Sequence, residues 1–197
     1  MLVKQIMLVK EMFFNGKIFF LLILILTIAD AKAVNKKEII SNLEIISNLS
    51  FNFEQNINGK IENGRCTLKY PKKIYCKYNL SNNKILVSNG RSVIIKTDIG
   101  SYYRYSLKST PLNLILDKNY LLNEIKNLNE NNTKNGFITY SINKNKLKID
   151  IFFDKKTFNL KGWQTLDIYQ NISVTNISNL VINQEIDADQ FTLPKPN

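Results

Sequence analysis

The residue types best suited to chemistry in this 197-residue chain are few: two cysteines, Cys66 and Cys76, and two aspartate pairs, Asp150 with Asp154 and Asp187 with Asp189. Paired carboxylates can share acid and base work in glycoside hydrolysis. Both pairs fall where strands are expected to end or turn, a position where solvated aspartates are ordinary, so neither is assigned a catalytic role. Ser88-Asn-Gly90 reads as a hairpin turn, because no helix follows it to make a nucleophile elbow. The chain has no histidine, which excludes Ser/His and Cys/His pairs and removes the default acid–base side chain. Two cysteines cannot build a four-sulfur zinc site, and seven glycines form no phosphate loop. No enzyme activity, cofactor or metal is expected.

The cysteines belong to an informative hairpin, residues 64–80. A tight loop at Tyr70-Pro71-Lys72 pairs residues whose numbers sum to a constant, and Cys66 then stands opposite Cys76. Alternation places Cys66, Leu68, Tyr70, Ile74, Cys76 and Tyr78 on one face. Arg65, Thr67, Lys69, Lys73 and Lys77 take the other face with Tyr75. A shift of one residue mixes the two sets. A directly opposed pair of cysteines can be bridged; two buried free thiols are the alternative. A bridge here would be a structural staple.

Other elements must hold that hairpin. Val34 to Ser50 reads as one amphipathic helix, with Ile39, Ile40, Leu43, Ile46 and Leu49 on a stripe. From Phe51 the period becomes two, up to the turn at Asn58-Gly59. Further strands are expected over Arg65–Tyr70, Ile74–Leu80, Lys84–Ser88, Ser92–Thr97 and Ser101–Leu107. A helical pattern follows Thr110-Pro111, through Leu112, Ile115 and Leu116 and then Leu121, Leu122 and Ile125. Strands resume over Phe137–Ile142, Lys146–Phe153, Leu160–Tyr169, Ile172–Ile182 and Ile186–Leu193, and Asn127–Asn135 reads as a flexible loop. Antiparallel runs with short turns point to one curved sheet or barrel, mainly β with helices, and exclude βαβ units.

The formal charge is +11, with lysine supplying most of it, and both Asn and Ile are abundant. Drift toward AT-rich codons accounts for that composition without a partner; a basic surface for nucleic acid or anionic lipid is the alternative. At the N-terminus Lys17 precedes the uncharged run Ile18–Ile28, and small residues follow at Ala29, Ala31 and Ala33. This is the order of a secretory signal, and the run is short of the roughly 20 apolar residues of a spanning helix. Residues 1–33 are therefore expected to be removed, with cleavage after Ala31 or Ala33 and a start at Met1 or Met12. The remaining domain, 34–197, has a net charge of +9. Export implies an oxidising compartment and no nucleic acid partner.

Several segments in order then resemble one family. Phe51-x-Phe-x-Gln55 and Gly59 precede Gly64-x-x-x-Leu68-x-x-Pro71, with Tyr78 ending the next strand. Ile85-Leu-Val-Ser-Asn-Gly90, Thr110-Pro-Leu-x-Leu-Ile-Leu116, Gly162-Trp163 and Phe191-Thr-Leu-Pro194-x-Pro196 follow. The set is similar to the periplasmic outer-membrane lipoprotein carriers, the LolA family, over essentially all of residues 34–197. The resemblance implies an incomplete antiparallel β-barrel, a half-barrel whose helices form a lid over an apolar cavity. It implies a periplasmic carrier, expected to be a monomer. Such a carrier takes acylated lipoproteins from an inner-membrane lipoprotein-releasing ABC transporter and delivers them to an outer-membrane acceptor, where one is present.

By position, Leu68, Tyr70 and Tyr78 are candidates to line the cavity, Leu112, Leu114, Ile115 and Leu116 match the lid helix, and Trp163 sits in a matching strand. For each of these, ordinary core packing is the competing role. Family members commonly carry an arginine immediately before the motif proline, bonded to the lid to hold it shut. Tyr70 occupies that position here and lacks the charged fork, so the lid is expected either to close more weakly or to be held another way. Two other readings stay open: a periplasmic lipid-binding or envelope-stress sensor domain on the same half-barrel, and a basic surface module for polyanions.

Overall fold

A computed structural model describes residues 35–80, 82–132, 136–144, 147–166 and 171–196, with the side chain of Asn132 excepted. The expected signal segment, residues 1–33, lies outside the described residues, as do 133–135 of the expected Asn-rich loop and 167–169 of one expected strand. The chain divides into two compact units, Met1–Glu38 and Ile39–Asn197. Of the first, only the helical residues 35–38 are described.

The second unit is built on one antiparallel sheet. Its strands are β1 (Asn48–Ile57), β2 (Lys60–Lys69), β3 (Lys73–Tyr78), β4 (Ile85–Asn89), β5 (Ser92–Lys96), β6 (Tyr102–Ser106), β7 (Asn131–Asn132), β8 (Phe137–Lys144), β9 (Leu147–Asp154), β10 (Leu160–Leu166) and β11 (Ile172–Ile182). Their spatial order is β6-β5-β4-β3-β2-β1-β11-β10-β9-β8-β7. Every neighbour is a neighbour in sequence except β1 with β11, which closes the meander back on itself. The sheet is thus an up-and-down barrel left open between β6 and β7. The connection that crosses from one open edge to the other is the helical one, α2 (Leu112–Leu116) and α3 (Lys118–Asn127). The mainly β, half-barrel class expected from the sequence is the class observed.

Local chemistry fixes the strands. Asn58 and Gly59 both take positive φ, 50° and 87°, the backbone that a two-residue hairpin turn requires. They join β1 to β2 with Ile57 opposite Lys60. The next hairpin turns through residues 70–72 around a cis Tyr70–Pro71 bond. Its register pairs Gly64 with Tyr78, Cys66 with Cys76 and Leu68 with Ile74, the pairing that the two-faced pattern requires. Gly64 is needed for close approach: a Cβ there would fall 2.2 Å from the Lys77 carbonyl oxygen and 2.9 Å from the Phe53 ring.

Two expectations are corrected. Helix α1 spans residues 35–45 and does not continue to Ser50. Its end is set by Asn183, whose amide donates to the Ile45 carbonyl at 2.8 Å while its carbonyl oxygen accepts from the Ser47 N–H at 2.7 Å. One side chain thus satisfies the groups that an ending helix and a starting strand leave open, and Asn48 onward pairs with β2. Residues 186–193 form no strand either. The Asp187 carboxylate accepts from the Asp189 N–H at 2.9 Å, and a 3₁₀ turn, Asp189–Phe191, follows. That turn packs against β3 and β4, burying Phe191.

Candidate functional site

Alternation gives the sheet two unlike faces. The inner face carries Leu49, Phe51 and Phe53 of β1, Cys66 and Leu68 of β2, Ile74, Cys76 and Tyr78 of β3, and Ile149, Ile151 and Phe153 of β9, all buried. These side chains form a single cluster with Ile39 and Leu43 of α1, Leu114, Ile115 and Leu116 of α2, and Leu121, Leu122 and Ile125 of α3. The helices therefore close on the inner face of the sheet. The outer face over β2, β1 and β11 is polar, with an open groove of about 570 Å³ lined by Asn52, Glu54, Asn63, Arg65, Asn176 and Ser178, among others.

All eight sequence-selected residues sit in or against that cluster. Leu68, Tyr78, Leu114, Ile115, Leu116 and Trp163 are buried members, while Tyr70 and Leu112 are partly buried and pack on it. Trp163 meets Phe51 edge-on at 6.3 Å, and Tyr78 meets Phe53 edge-on at 4.9 Å. Cys66 and Cys76 are joined as a disulfide on the same face, with Cα atoms 4.0 Å apart. The sequence reading did not name Phe51, Phe53, Tyr140 or Phe153 as site residues, although the first two stand in the motif it used. Alternation from Tyr140 to Ile138 and Ile142 within β8 was a usable signal for that strand's face.

At the end of the β2–β3 hairpin the helices are tied down by polar bonds. The Lys72 N–H donates to the Leu116 carbonyl at 2.8 Å, and the Lys72 ammonium pairs with Asp117 at 3.0 Å. Asp117 also caps α3 by accepting from the Tyr120 N–H. The Lys118 ammonium donates to the Glu44 and Ile46 carbonyls at 3.0 and 2.9 Å. A cation on the last carbonyls of α1 complements both the open acceptors and the helix dipole. Lys118 also stands over the Tyr70 ring, 5.8 Å from its centroid, while the Tyr70 N–H donates to the Ser47 carbonyl. These bonds join the α2–α3 junction to the hairpin turn and to the end of α1.

The opposite end of the inner face is polar. Gln55 donates to Ser173 and Thr175 at 3.0 and 3.3 Å. Beside it Glu62, only 4% exposed, pairs with Lys84 and, at 3.0 Å, with Lys60. Burial alone would raise the Glu62 pKa, but the hydrogen bonds from Lys84 and Lys60 outweigh it and hold the carboxyl below its ordinary value. Burial, helped by Glu62, pushes the Tyr78 phenol up.

One aspartate of each acidic pair is engaged by nearby backbone N–H groups. The backbone N–H groups of Thr157 and Lys156 lower the Asp154 pKa by donating to its carboxylate, and the Asp187 carboxylate accepts from the Asp189 N–H at the start of the 3₁₀ turn. Ser88 donates to the Lys72 carbonyl. Among the described residues no group of three or more Cys, Asp or Glu is placed to hold a metal ion, and no helix is long and apolar enough to cross a membrane.

Among solved structures, the chain is similar to a LolA superfamily protein from Nitrosomonas europaea, at 8% identity and a TM-score of 0.45, over 82% of this chain and 97% of that one. It is similar to an uncharacterized conserved protein from Thermus thermophilus at 8% identity and a TM-score of 0.47, over 81% and 94%. It also resembles a chain of the MucA/MucB complex of Pseudomonas aeruginosa, at 10% identity and a TM-score of 0.43, over 84% and 61%. No curated protein matches by sequence. The model of one family, described as outer membrane lipoprotein carrier protein LolA, matches residues 44–194, and the chain belongs to that family.

Proposed function

We propose that this protein carries lipoproteins through the periplasm by burying their acyl chains between the sheet and its helices. In this reading residues 1–33 are a signal segment removed on export, and the carrier is the domain 34–197. It receives acylated lipoproteins from an inner-membrane lipoprotein-releasing ABC transporter and passes them to the outer membrane. The observation that supports the reading is the single apolar cluster shared by the inner face and three helices. Each buried methylene contributes about 0.8 kcal/mol, so an interior of this kind binds acyl chains tightly without chemistry.

In this reading uptake requires the helices to part from the sheet. The helix-to-hairpin bonds set how readily they do. Lys118, Asp117 and Lys72 take the part of the family arginine that Tyr70 replaces. Leu68, Tyr70, Tyr78, Leu112, Leu114, Ile115, Leu116 and Trp163 then face the acyl chains once the lid opens. The Cys66–Cys76 bridge fixes the hairpin against which the lid closes.

Delipidated protein should take up a fluorescent acyl probe with an affinity that high salt barely changes. Uptake abolished by salt would favour a surface module for polyanions. In the native cell, depletion should strand acylated lipoproteins at the inner membrane; correct sorting after depletion, with probe uptake intact, would favour a lipid sensor.

A further inference from the structure

Among the described residues, the hydroxyls of Tyr70 and Tyr140 stand at the apolar cluster with no hydrogen-bond partner. Tyr140 has no exposed surface. It lies on β8 opposite Ile151, with its ring edge-on to Phe153 at 6.1 Å. Tyr70 packs against the same cluster at the hairpin turn, beneath the helix junction. Phenylalanine would fill either place without burying an unpaired polar group, and such a group costs stability. Both phenols stay protonated at neutral pH. Burial drives Tyr70 upward, and burial, with the Glu130 carboxylate nearby, pushes Tyr140 up to about 12. Each is therefore a permanent O–H donor on a side chain that belongs to, or packs against, the apolar cluster.

The surroundings select the acceptor. A phosphate or carboxylate would have to shed its water for a single donor, which is strongly unfavourable. A hydrocarbon offers no acceptor at all. An ester carbonyl is uncharged, accepts one such bond, and travels attached to an acyl chain. We infer that the Tyr70 and Tyr140 hydroxyls donate to acyl ester carbonyls of the bound lipid, so that the interior selects ester-linked acyl groups over bare or ether-linked alkyl chains. This rests on the carrier reading above and names its ligand chemistry.

The test compares a synthetic diacylglyceryl lipopeptide with its dialkyl-ether counterpart of equal chain length, on the purified protein and on Tyr70→Phe and Tyr140→Phe. The wild type should bind the ester about tenfold more tightly. Each variant should lose roughly three- to fivefold of ester affinity and none for the ether, the size of one net hydrogen bond. Without ligand, both variants should unfold at the wild-type temperature or above it, because the lost hydroxyl had no partner. Equal affinity for ester and ether would overturn the inference and leave the carrier reading standing. So would variants that keep full ester affinity, or that unfold several degrees lower without ligand. Binding of neither lipid would overturn the carrier reading, and the inference with it.

Discussion

The two ends of the inner face are both closed by lysine and carboxylate, yet they are wired differently. At the turn end, Lys72 reaches from the hairpin to Asp117 and to the Leu116 carbonyl, and Lys118 reaches from α3 to the last carbonyls of α1. The Lys72 bonds join elements that must separate if the helices leave the sheet, and the Lys118 bonds tie α3 to the end of α1. At the far end, Glu62, Lys60 and Lys84 lie on β2 and just before β4, and Gln55 bonds across β1 to β11. These bonds stay within the sheet and survive any motion of the helices. The difference separates two jobs that an apolar cluster cannot do by itself, opening at one end and holding register at the other.

The far end should therefore be the costlier to break. Glu62→Ala leaves the Lys84 ammonium, 20% exposed, without its carboxylate, and the loss should be about 3 kcal/mol in urea unfolding. The effect has a defined pH dependence. The Glu62 pKa is lower in the folded protein than its ordinary value. Its stabilisation is thus full above the unfolded carboxylate value and fades as pH falls through the folded one. Wild type and variant should converge in acid. A gap that persists at pH 2 would show that Glu62 acts by packing and not through its charge.

Midway between the ends, the disulfide joins β2 to β3 on the inner face. It closes a short loop, ten residues in sequence separation, so reduction should cost about 2–3 kcal/mol. Because both strands belong to the sheet, reduction should leave the kinetics of probe uptake unchanged at temperatures where the protein remains folded. Uptake that accelerates on reduction would mean that the hairpin itself moves with the lid.

Much of this arrangement was legible in residue types, and the remainder fails for physical reasons. The hairpin register could be read because its two faces differ in chemistry, Cys66, Leu68, Ile74 and Cys76 against Arg65, Lys69, Lys73 and Lys77, so a slip of one residue is visible. The end of α1 could not. The stripe runs on through Leu49, and the group that stops the helix is the Asn183 side chain, distant in sequence. Phe191 has an apolar, strand-like neighbourhood, but the chain turns just before it, where the Asp187 carboxylate accepts from the Asp189 N–H. The ties of Lys118 go to backbone carbonyls, and a carbonyl is the same in every residue, so no spacing announces them. Tyr140 could be placed on the inner face by alternation. That its hydroxyl lacks a partner depends on what packs around it.

The turn end gives the smallest stability effect and the sharpest kinetic one. Lys72 and Asp117 are each about a third exposed, at 33% and 29%, and a pair of that kind contributes about 1 kcal/mol or less. Asp117→Asn removes the charge while keeping an oxygen able to cap α3 at the Tyr120 N–H, so it isolates the ion pair. Unfolding should shift very little. Probe uptake should nevertheless quicken severalfold, because the bond lost is one that opening must break. Salt screens a partly exposed pair, so added salt should speed uptake by the wild type and leave the variant flat. Lys118→Met keeps the apolar stem over Tyr70 and removes the bonds to the Glu44 and Ile46 carbonyls, and it should quicken uptake again in the double variant. If both substitutions left uptake at the wild-type rate while Glu62→Ala changed it, the helices would be gated from the far end, and the division of labour between the two ends would be reversed.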